Sequence, residues 1–100
     1  METLQKLDIK DNTFSRQFET LVSEGMVTVE YSFQEKKIFL TKIQTPEGFV
    51  NEEFIADYLK NIMDIAYERK LKVVPILPKI ALFFKNNKVY SDLLPPGIKI

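Results

Sequence analysis

The spacing of apolar residues changes once along this chain, and that change fixes what it can fold into. Over residues 26–33, Val27, Val29, Tyr31 and Phe33 alternate with Met26, Thr28, Glu30 and Ser32, the period of a strand with one buried face. Beyond Thr45-Pro46-Glu47-Gly48, the residues Phe54, Ile55, Tyr58, Leu59, Ile62, Ile65 and Ala66 recur at spacings of three and four. That is the stripe of an amphipathic helix, with Asp57, Lys60, Asn61, Asp64 and Glu68 on its polar side. A strand region followed by a long helix predicts an α+β domain.

Smaller signals fill in the order. Ser23-Glu24-Gly25 supplies a hairpin turn between a strand over residues 14–22 and the alternating strand. Gln34-Glu35-Lys36-Lys37 breaks the chain before a strand over residues 38–43, whose apolar residues fall on both faces, as in a central strand. Leu7 and Ile9 suggest a short strand at the start. Asn51 is a good N-cap, with Glu52 and Glu53 where a helix dipole favours negative charge and an end near Lys70. Leu71-Lys72-Val73-Val74-Pro75-Ile76-Leu77 predicts a strand that Pro75 interrupts or ends. Pro78 suits the start of a second helix with Ile80, Phe83 and Phe84 inward, stopped by Asn86-Asn87, with one more turn over residues 89–94.

At 100 residues the chain has room for one core, so residues 1–100 are expected to form a single domain. Apolar residues make up 45% and charged residues 28%, enough of the former to argue against extended disorder. Cysteine and histidine are both absent, which excludes a thiol nucleophile, a Ser-His-Asp triad, imidazole acid/base chemistry and a zinc site of sulfur or imidazole. No metal ligand set and no catalytic residue is assigned.

No apolar run approaches the ~20 residues that cross a bilayer. Residues 1–10 carry Glu2 and Asp8 rather than a signal-peptide pattern, so a cytoplasmic location and no membrane partner are expected. Charge is uneven: residues 1–59 hold six basic against eleven acidic residues, and residues 60–100 hold eight against three. A basic face that meets an anionic ligand and mutual attraction between the halves both account for this. No nucleic-acid motif accompanies Phe83, Phe84 and Tyr90, so a nucleic-acid partner is not expected, and nothing indicates a particular protein partner.

The expected order of meander, long helix, strand, short helix and tail resembles the compact GNAT-like N-acetyltransferases, over about residues 12–94. Leu71-Lys72-Val73-Val74-Pro75 and Tyr90-Ser91-Asp92-Leu93 match that pattern, as do Gly25, Tyr31, Pro46 and Ala66. The resemblance implies an acyl-CoA N-acyltransferase-type fold and acetyl-CoA, or another small anionic ligand, as the cofactor. It places the cofactor site at Ile43, Gln44, Thr45, Val50, Asn51, Glu53 and Phe54.

The departures fall on the chemistry. Lys42-Ile43 stands where the family has His-Thr, Val50 where it has a basic residue, Asn51 and Glu53 where it has the glycines of a phosphate-binding loop, and Leu77 where it has a cysteine. Glycines there let backbone N–H groups approach a pyrophosphate, and Glu52 and Glu53 reverse the field that attracts it, while also stabilising the first helical turn. Leu77 closes any acyl-enzyme route. Two readings therefore stand: a domain whose acetyl-CoA binding is weakened or lost, and an N-acetyltransferase working by direct amine attack, with Glu30, Tyr31 or Tyr90 as proton acceptor. Lys42 either reaches solvent along its stem or holds an anion in the cleft.

Overall fold

The computed structural model describes residues 7–98; the first six residues of the stretch tested for a signal pattern lie outside them. Strand β1 is Lys10–Asn12, β2 Gln17–Val22, β3 Gly25–Gln34 and β4 Lys37–Gln44. Helix α1, Glu52–Glu68, leads to β5, Lys72–Val74, and helix α2, Pro78–Asn86, is followed by a 3-10 helix, Lys88–Leu93. The strands form one mixed sheet in the order β1-β2-β3-β4-β5, antiparallel through β4, with β5 parallel to β4. This is the α+β arrangement expected from the change of period.

The hairpin closes at Val22 opposite Gly25. Gly25 is required there twice over. Its φ is +146°, and a Cβ would meet the Pro46 ring at 3.2 Å, so the loop after β4 packs directly on the turn.

Between β3 and β4 the register slips: Glu30 pairs with Lys42, but Tyr31 pairs with Leu40, leaving Thr41 as an extra residue in β4. This bulge reverses the alternation. Ile38 and Leu40 are buried, and Ile43 rejoins their face opposite buried Val29. Lys42, which strict alternation would send into the core, is exposed beside Glu30 on the other face. The bulge explains the apolar residues on both parities of β4, a strand that does lie centrally between β3 and β5.

The core is built from Phe18, Val27, Val29, Ile38 and Leu40 of the sheet against Ile55, Tyr58, Leu59, Ile62, Met63 and Ala66 of α1, with Ile80, Phe83 and Phe84 of α2 joining them. The Tyr58 hydroxyl donates to the Phe18 carbonyl at 2.8 Å, with the Val27 carbonyl at 3.3 Å.

Several sequence expectations are corrected. The first strand starts at Lys10, not at Leu7 and Ile9. Phe14 is 98% exposed, because a turn in which Ser15 N–H donates to Asn12 Oδ1 precedes β2 and delays its start to Gln17. Only three residues of the 71–77 segment pair, since Pro75 ends the ladder. Asn61 is buried rather than on the wet side of α1: it donates to the Asp57 carbonyl at 2.7 Å, and its Oδ1 accepts from Leu7 N–H, where the chain before β1 crosses the helix.

Tyr31 is buried as well. Its hydroxyl donates to the Asp11 carboxylate, which pairs with Arg69 at 2.8 Å, so β1, β3 and the end of α1 are tied together. Burial, then the bond to Asp11 and its charge, push the Tyr31 phenol from 10.0 up to about 12. Burial likewise raises Tyr58, Tyr67 and Tyr90. A raised folded value means the neutral phenol is favoured by folding. That stabilisation is complete below the unfolded value of 10.0 and is lost as pH climbs through about 12. Loss of circular dichroism is therefore expected together with phenolate absorbance across this window. Full phenolate formation near the ordinary tyrosine value in a still-folded chain would contradict the assignment.

Candidate functional site

The residues expected to hold a cofactor come from the end of β4, the loop after it and the first turn of α1. They divide between two grooves. Val50, Asn51, Glu53 and Phe54 line a groove of about 660 Å³ between the Ser23-Glu24 turn and the start of α1, together with Glu52 and Phe49. Ile43 and Thr45 line a smaller groove of about 320 Å³ with Lys42, Leu77, Pro78 and Lys79. Gln44 lines neither. The smaller groove has a topological origin. The parallel pairing of β4 with β5 runs only from Lys37 opposite Lys72 to Phe39 opposite Val74, so residues 40–44 continue without that neighbour.

At the front of α1, Asn51 is extended and its Oδ1 accepts the Phe54 N–H at 3.0 Å. Its carbonyl accepts the Ile55 N–H at 3.2 Å. A helix start offers an anion only the N–H groups its own cap leaves open. Here the cap has taken one of them, and Glu52 and Glu53, both exposed, add negative charge to the same turn. Val50, at the position where the resemblance implies a basic residue, is 88% exposed and apolar.

Lys79 at the start of α2 pairs with Glu52 at 3.3 Å, joining the first turns of the two helices. Both side chains are open to water, so the pair contributes little stability. It does place a cation beside Glu52, two residues after Leu77.

The candidate proton acceptors do not converge on this place. Tyr31 is committed to Asp11, Tyr90 packs between Tyr67 and Phe83 with ring centroids at 6.3 and 5.6 Å, and Glu30 sits between Gln17 and Lys42 on the sheet face away from α1. Lys42 lies on that face too, although it reaches the rim of the smaller groove. Among the described residues there is no group of acidic side chains able to hold a metal ion, and no helix is long and apolar enough to cross a membrane.

A third groove, of about 650 Å³, was not anticipated from the sequence. It is lined by Leu7, Asp8, Lys10, Glu19, Thr20, Leu21, Met26 and Phe54. Glu19 sits under its polar side, where one carboxylate oxygen accepts Gln17 Nε2 at 2.6 Å and Asn12 Nδ2 at 2.9 Å. The Gln17 bond, then the Asn12 bond, hold this carboxyl below the usual range. The only sequence signal for this groove is a break in alternation, Leu21 and Met26 being apolar at positions of the outer sheet face.

No protein-family model matches this chain, and no curated protein is significantly similar to it.

Proposed function

We propose that this chain is a non-catalytic relative of the small GNAT-like acetyltransferases, a binding module that keeps the frame and no longer takes acetyl-CoA at the front of α1. The observation that carries this reading is the Asn51 cap on the Phe54 N–H, with Glu52 and Glu53 in the same turn. An exposed carboxylate beside a diphosphate opposes binding even after screening, and a backbone donor already bonded to its own cap gives nothing back. The order of meander, long helix, parallel strand and short helix supports the family frame. The active alternative, direct amine attack on a bound thioester, is the weaker one, because none of Glu30, Tyr31 and Tyr90 lines the groove.

Thermal melts in excess acetyl-CoA test the proposal. A ligand held only by the folded state raises the melting temperature by mass action, and ligand at about 100 times its Kd adds about 2.7 kcal/mol. The expected result is a melting temperature unchanged by millimolar acetyl-CoA. A rise of several degrees, absent with the free acetate control, would refute the proposal.

A further inference from the structure

We infer that the two grooves meeting at Phe54 form a docking surface for an extended, cationic and partly apolar peptide segment of another protein. Phe54 lines both grooves, and the adjacent residues Leu21 and Val22 line one each, so the grooves flank a single stretch of β2. The floor is apolar: Phe54 packs edge-on against Phe49 at 5.6 Å. The rim exposes Leu21 at 75%, Met26 at 44% and Val50 at 88%, apolar area that nothing among the described residues covers.

Charge selects the occupant. Asp8, Glu19, Glu24, Glu52 and Glu53 line the two grooves, against Lys10 alone among cationic lining residues. Such a surface repels phosphates and anionic headgroups and attracts lysine or arginine side chains, steering a cationic partner to it.

The sheet edge supplies the backbone part. Strand β1 pairs with β2 only from Gln17 to Glu19, whereas β2 runs on to Val22, so Leu21 lies beyond the paired part of that edge. Tyr31 N–H donates to the Arg16 carbonyl, which sets the parity of the β2–β3 ladder and turns the backbone of Leu21 away from β3, toward the edge. A peptide added there as a strand would point alternate residues to the α1 side, with Phe54, Glu52 and Glu53, and the others to the outer face, with Leu21, Met26 and Glu19. Each side thus offers an apolar contact next to a carboxylate.

The inference rests on the proposed function only in that no anionic cofactor competes for the start of α1. Its test uses a fluorescent peptide of alternating lysine and leucine, with glutamate–leucine and lysine–serine peptides as controls, followed by anisotropy and by amide shifts of the full chain. Saturable binding of the lysine–leucine peptide is expected, with shifts centred on Leu21, Val22 and residues 50–54. Added salt should weaken it, and both controls should bind about tenfold or more weakly.

A Glu24→Lys, Glu53→Lys double variant and a Leu21→Ser, Val50→Ser double variant should each lose about tenfold in affinity. All four side chains are exposed, so unchanged melting will show that the fold is retained. Equal binding of the glutamate–leucine peptide, shifts centred elsewhere, or full affinity in both variants would overturn the inference. So would concentration-dependent self-association that shifts the same residues, since the occupant would then be a second copy. An acetyl-CoA titration on the same sample separates the two ideas: cofactor shifts at residues 50–54 would sink the proposed function, and the peptide result would still be read by itself.

Discussion

Replacing Tyr58 by alanine is expected to lower the stability of the domain by about 3–5 kcal/mol, a large part of the ~5–15 kcal/mol that holds a domain of this size together. The side chain is fully buried on the face of α1 that meets the sheet, beside the Phe54 ring at 6.2 Å. Its removal leaves a cavity against β2 and β3 and withdraws the hydroxyl that reaches the Phe18 and Val27 carbonyls. Phenylalanine at the same position keeps the packing and loses only the hydrogen bond, at about 1 kcal/mol. Denaturant unfolding of the two variants separates these contributions. A loss of about 1 kcal/mol or less in the alanine variant would show that α1 is not packed on the sheet as described.

The second large effect is a gain. The triple variant Val50→Arg, Asn51→Gly, Glu53→Gly should bind acetyl-CoA about ten- to a hundredfold more tightly than the parent chain. A carboxylate about 4 Å from a phosphate charge costs roughly 4 kcal/mol at an effective dielectric near 20, and exposure of Glu53 to water reduces this to the smaller figure expected here. Glycine at position 51 frees the Phe54 N–H for a phosphate oxygen, and arginine at position 50 supplies a bidentate cation at an exposed site. The stability loss is small at the cap, a few tenths of a kcal/mol for asparagine to glycine, and about 1 kcal/mol for glycine inside the first turn. Calorimetric titration of the folded variant measures the gain. A folded triple variant with no gain would count against the alignment of residues 42–54 with the family's loop.

Most of the architecture was legible in the sequence, because period is a strong signal wherever one face is buried. The alternation of β3, the stripe of α1, the Asn51 cap and the Pro78 start of α2 all appear at or next to the expected residues. What escaped was set by neighbours far away in the chain. The Thr41 bulge, which decides that Lys42 faces water beside Glu30, depends on the pairing of β3 with β4, and its one trace in the sequence, apolar residues on both parities, reads equally well as a central strand. Asn61 looked like a surface residue until Leu7 crossed over it. Tyr31 could be read as a candidate proton acceptor, because the sequence does not bring Asp11 and Arg69 together around its hydroxyl.

The candidate site was legible in part. Residues 50–54 do share a groove, but Ile43 and Thr45 belong to another, opened where Pro75 takes β5 away from β4. The groove along β2 needs the short reach of β1, whose pairing stops at Glu19 and leaves Leu21 beyond it.

A titration of the unmodified chain with acetyl-CoA, followed by its amide chemical shifts, tests the central claim most directly. With Asn51 holding the Phe54 N–H and two carboxylates beside it, no saturable shift is expected over residues 43–54 up to millimolar ligand. Low-micromolar affinity, with shifts centred on those residues, would contradict it.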